Sequence, residues 1–120
     1  MTQRSHSFRT NSGDDTCRFY LNGAPHTYQG TEFRHYRIGT RPRGGWTVVR
    51  VAVTRTGGSS GSGYNYRTTA SLWQPTGGGW TDLLTVGLYR ASTEDEDHGA
   101  VMDVVIDHAL EKVADLLRII

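Results

Sequence analysis

The residues in this chain best equipped for chemistry are arginines and aromatics: Arg18, Tyr20, Arg37, Trp46, Arg50, Arg67, Trp73 and Tyr89. A guanidinium is a planar fork of donors that matches phosphate oxygens and also stacks on aromatic rings. Tyrosine and tryptophan provide flat platforms for planar groups. Gathered on one open sheet face, such residues can hold single-stranded nucleic acid. Two blander arrangements use the same residues. Arginine can lie on tryptophan across neighbouring strands simply to cover an exposed face, or the face can be buried against another protein.

These side chains share a surface only if the strands carrying them alternate correctly. The clearest strand is Gly44–Arg55, where Val49, Val51 and Val53 fall on one face and Trp46, Val48, Arg50, Ala52 and Thr54 on the other. Its opening Gly44-Gly45-Trp46-Thr47 recurs as Gly78-Gly79-Trp80-Thr81, which reads as one turn chemistry used twice rather than as a duplicated unit. Thr16–Leu21 alternates Cys17, Phe19 and Leu21 against Arg18 and Tyr20, and Asn22-Gly23 closes it as a turn. His26 to Gly30 offers a weak partner strand. Glu32 to Gly39 reads as a further strand, with Phe33, Tyr36 and Ile38 among Arg34, His35 and Arg37. Tyr64 to Gln74 puts Tyr64, Tyr66, Ala70 and Leu72 on one side, with Asn65, Arg67, Thr69 and Trp73 on the other. Trp80 to Tyr89 follows, with Leu84, Val86 and Leu88 in phase.

The period then changes from two to 3.6. Val101, Met102, Val105, Ile106, Ala109, Leu110, Val113, Leu116, Leu117 and Ile120 recur at three- and four-residue steps, predicting a long amphipathic helix. Ser92 and Thr93 ahead of Glu94-Asp95-Glu96-Asp97 resemble a capping box, and those acids suit the positive end of the helix dipole. The predicted fold is therefore α+β: an antiparallel meander of four to five strands with one C-terminal helix packed on one face. Residues 1–15 are expected as a flexible tail and residues 16–120 as a single domain. The order of strands then helix is similar in layout to dimeric single-strand-binding coactivator domains, a likeness carried by no motif.

Composition narrows the function. Twelve of thirteen basic residues are arginine, leaving Lys112 as the one lysine for any Schiff-base or phosphate-loop role. Residues 1–70 hold ten arginines against Asp14, Asp15 and Glu32; residues 71–120 hold three basic residues against nine acids. That split implies either an anionic partner for the first half or pairing between the halves. Cys17 is the single cysteine, so an internal disulfide is excluded. No signal-length apolar segment opens the chain and no run approaches ~18 apolar residues, so a soluble cytoplasmic protein away from the membrane is expected.

The remaining motifs are weak. Gly57–Gly63 contains Gly61-x-Gly63 but lacks a following Gly-Lys-Ser/Thr and leads into a strand, so it is no phosphate loop. Glu94–His98, Asp103, Asp107, His108 and Glu111 carry metal-compatible groups without metal-site spacing. No nucleophile elbow is present, and no local signature surrounds Cys17. A non-catalytic binding protein without metal or cofactor is expected, with nucleic acid as its partner. The alternative is a protein-interaction or assembly module, adaptor- or inhibitor-like, that uses the aromatic face or the apolar helix end. The low apolar fraction of 36% and the apolar terminus Leu116–Ile120 favour a homodimer.

Overall fold

The computed structural model describes residues 3–9, 16–39, 48–57, 63–74, 77–90 and 98–117; the side chains of Tyr89, Arg90 and His98 fall outside that description. The chain forms β1 (Ser5–Arg9), β2 (Thr16–Leu21), β3 (His26–Tyr28), β4 (Thr31–Ile38), β5 (Val48–Gly57), β6 (Tyr64–Gln74), β7 (Gly79–Arg90) and α1 (His98–Leu117). The α+β class stands, with seven strands among the described residues where four to five were expected. All pairings are antiparallel, in the order β1-β2-β4-β5-β6-β7, and β3 pairs with β4.

β2 and β3 lie end to end along the same edge of β4. Phe19, Tyr20 and Leu21 pair with Ile38, Arg37 and Tyr36, and His26–Tyr28 pair with Phe33–Thr31. A two-residue turn joins β3 to β4, with Gln29 at φ 50° and Gly30 at φ 79°. Two positive φ values in a row are what a tight hairpin of the I′ kind needs. The sequence signal was weak here because glutamine rarely occupies such a position.

One departure from expectation concerns the first residues. Ser5–Arg9, expected within a flexible tail, pairs with Thr16–Tyr20 as β1. Its inward residues explain why: His6 is 1% exposed and Phe8 packs edge-on to Phe19, with ring centroids 6.1 Å apart. Residues 10–15 lie outside the described residues, as do the expected cap and acid run at 92–97, Trp46 and its glycine turn, most of the Gly57–Gly63 loop, and Ile120.

One core joins sheet and helix. From the sheet come Cys17, Phe19, Tyr36, Ile38, Val49, Val51, Val53, Tyr66, Ala70 and Leu72. From the helix come Val101, Met102, Val105, Ile106, Ala109, Leu110, Val113, Ala114 and Leu117. Val49, Val51 and Val53 are 0–2% exposed, so the period-two pattern of β5 does what it promised. The helix touches β1 at one end of the sheet and β7 at the other, as well as β5 and β6. The sheet therefore curls around α1, and its remaining face is the outer one.

The same interface holds a buried polar cluster. Arg34, 2% exposed, donates from Nε to Glu32 at 2.7 Å and from Nη1 to Asp103 on α1 at 2.8 Å. His6 Nδ1 lies 2.8 Å from Asp107, also on α1, and its ring meets Tyr36 edge-on at 5.5 Å. The Gln3 amide donates to both oxygens of Asp103 at 2.9 and 3.0 Å. β4 is thus tied to the helix by an ion pair and β1 by a hydrogen bond, as well as by apolar contact. Among the described residues, no helix is long and apolar enough to cross a membrane.

Candidate functional site

Strand alternation assigns the outer face. Arg18 and Tyr20 from β2, Arg37 from β4, Arg50 from β5, and Arg67 and Trp73 from β6 all stand opposite in register to the buried residues of their own strands. The backbone of Tyr89 pairs in register with Asn65 of β6. Six of the eight candidate residues are placed there with their side chains. Trp46 and the Tyr89 side chain lie outside the described residues.

The face also carries residues that sequence reasoning missed, and they form its centre. Phe33, His26, His35, Trp80 and Trp73 make a continuous run of rings. His26 stacks on Phe33 (5.2 Å, 16°) and on His35 (5.9 Å, 10°). His35 meets Trp80 at 5.7 Å, and Trp80 meets Trp73 edge-on at 5.3 Å and 64°. The Arg50 guanidinium lies 4.5 Å from the Trp80 ring centroid and 6.0 Å from that of Phe33. This packing covers the strand as an ordinary sheet face would, and it also holds Arg50 in place. Stacking uses the flat side of a guanidinium, so the in-plane N–H donors remain free to meet an oxyanion.

Trp80 was missed because of one inserted residue. Ala70 pairs with Leu84 but Ser71 pairs with Asp82, so Leu83 is extra in β7. Leu84, Val86 and Leu88 face the helix; without the bulge Trp80 would have shared that side, since all four positions are even. With it, Trp80 reaches the outer face opposite Trp73. Phe33 and His35 were legible in principle. They have the parity of Arg37 in β4, but the apolar character of Phe33 invited grouping with Tyr36 and Ile38.

Local structure positions the other end of the face. Glycine at position 39 lets the Tyr20 ring lie close, since a Cβ would stand 2.8 Å from Tyr20 Cε2 and 3.2 Å from Arg18 Cβ and displace the ring. The Gly39 amide instead donates to the Arg18 carbonyl at 2.7 Å. Next to this corner, Asn22, His35, Val48, Trp73 and Trp80 line a pocket of about 360 Å³. The Asn22 amide donates to the His35 carbonyl at 2.8 Å and fixes that rim.

The electrostatics differ between the two sides. Arg9, Arg18, Arg37, Arg50 and Arg67 belong to the outer face, and among the described residues none of them pairs with a carboxylate. Asp82, the carboxylate on that face among the described residues, accepts from Ser71 Oγ at 2.6 Å. Asp103 and Asp107 are taken up by Arg34 and His6 behind the sheet. Among the described residues, pairing between the two halves of the chain therefore involves Arg34 and His6 but not the outer arginines. Burial pushes the His35 imidazole below its ordinary 6.5, and the charges of His26 and Arg50 push it the same way, so it is neutral at pH 7.

Among the described residues no three His, Cys, Asp or Glu side chains converge as a metal would require. Cys17 is buried in the core and its thiol is pushed up to about 11 by burial. No protein-family model, curated protein sequence or solved structure matches the chain.

Proposed function

We propose that this protein is a non-catalytic binding protein whose outer sheet face holds single-stranded nucleic acid. One observation carries the reading: arginines without carboxylate partners among the described residues share a face with a continuous run of exposed and half-exposed rings. A stable solvent-covered face needs the rings or the charges, but gains little from concentrating one sign of charge beside them. Phosphates neutralise such arginines, and bases stack on such rings. Arg37 and Arg67 stand six residue steps and two strands apart, on the order of 20 Å by strand geometry, so a strand of a few nucleotides can touch both.

Fluorescence anisotropy with a labelled 20-nucleotide single strand at low salt tests this. The wild-type protein binds, and the double variant Arg50→Ala plus Arg67→Ala binds at least tenfold more weakly. A protein that shows no binding at low salt does not have this function. Retained interaction with another protein at high salt would favour the assembly-module reading instead.

A further inference from the structure

We propose that the pocket beside Tyr20 and Arg37, walled by Trp73 and Trp80 and rimmed by Asn22 and His35, seats a single nucleobase of the bound strand. The inference rests on the nucleic-acid reading of the outer face and adds to it a fixed position where a base, rather than a phosphate, is held.

The two indoles stand at 64° with centroids 5.3 Å apart, forming a corner rather than a flat wall. A planar ring entering that corner stacks on one indole while its rim meets the other edge-on, both of which are favoured ring geometries. The pocket volume of about 360 Å³ is at the small end of the range for ligand sites and suits a group of nucleoside size. The wall is apolar, formed by Val48 and the two indoles.

The polar groups at the rim are neutral. His35 is uncharged at pH 7, so its ring has one donor and one acceptor nitrogen. The Asn22 side-chain amide has the same pair of capacities, and the bond from its backbone to the His35 carbonyl keeps the two residues together. Neutral donor–acceptor groups match a base edge, whereas a phosphate calls for guanidinium. The guanidinium groups are adjacent: Arg50 is stacked on Trp80, and Arg37 pairs in register with Tyr20 and Val48. Base and phosphate seats thus alternate over a short distance, as a single strand requires.

The full chain is titrated with a fluorescently labelled 12-nucleotide single strand and with an abasic deoxyribose-phosphate oligomer of the same length and label. Tryptophan emission is recorded in the same samples. The normal strand binds more tightly than the abasic one by about 5- to 150-fold, the factor expected of one stacked base, and quenches tryptophan emission. Trp73→Ala removes most of that difference, chiefly by weakening the normal strand. Asn22→Ala, on an exposed turn where folding is not at stake, lowers normal-strand affinity and spares the abasic oligomer. Equal binding of the two oligomers, with neither variant having an effect, would overturn the base seat and leave the phosphate-binding face standing. Absence of binding to both at low salt would overturn the nucleic-acid reading, and the seat with it.

Discussion

Arg34 is the residue whose loss should be felt most. Its side chain is 3% exposed and bridges Glu32 and Asp103, so truncation leaves two half-buried carboxylates without their cation. Arg34→Ala is expected to cost about 3–5 kcal/mol, read from the shift of the urea midpoint at constant slope. Cys17 provides a second test at this scale. With its thiol pushed up to about 11, it stays protonated at pH 8, and iodoacetamide should label it at a useful rate only after unfolding. His35 gives a pH signature with a definite sign. Its folded value is depressed below 6.5, so the unfolded chain binds more protons in that window and stability falls as pH drops through 6.5. His35→Gln lacks this loss and should gain on the wild type in thermal melts between pH 7 and 5.5. Arg34 and His35 also show what alternation can reveal. Glu32, Arg34, Tyr36 and Ile38 form one parity set in β4 and Phe33, His35 and Arg37 the other, so the inward arginine was readable once polarity was set aside.

At the scale of elements, β5, β6 and α1 were the legible parts, because long segments with an unbroken period leave little choice of face. β1 and β3 were not. Each is short and polar in composition; β1 is held by contacts distant in sequence, His6 to Asp107 and Tyr36, and β3 by the stacking of His26 on Phe33 and His35 across a tight hairpin. The bulge at Leu83 was equally hidden, since one extra residue in β7 exchanges faces without leaving a mark on composition. The account of β1 is testable apart from any function. His6→Ala removes a fully buried ring and the partner of Asp107, and should cost about 2–4 kcal/mol. A residue in a flexible tail would shift stability by no more than about 0.5 kcal/mol. Denaturation of this single variant separates the two.

At the scale of the molecule, the charge split along the chain becomes, among the described residues, a difference between two sides of the sheet. The acids Asp103 and Asp107 are drawn to Arg34 and His6 behind the sheet, while Arg18, Arg37, Arg50 and Arg67 stay on the outer face without carboxylate partners among the described residues. The sequence posed this alternative and could not resolve it, because pairing depends on which face each arginine takes. The central claim is that these four arginines meet phosphates, and the salt dependence of binding tests it most directly. With four phosphate contacts, log K for a single strand should fall against log salt with a slope of about −3, roughly a 50-fold loss from 50 to 200 mM. Arg50→Ala plus Arg67→Ala should halve that slope. Anisotropy titrations of the 20-nucleotide strand across this salt range give the answer: a steep slope that the double variant flattens is the predicted result, and binding that is indifferent to salt, or unchanged in slope by the variant, contradicts it.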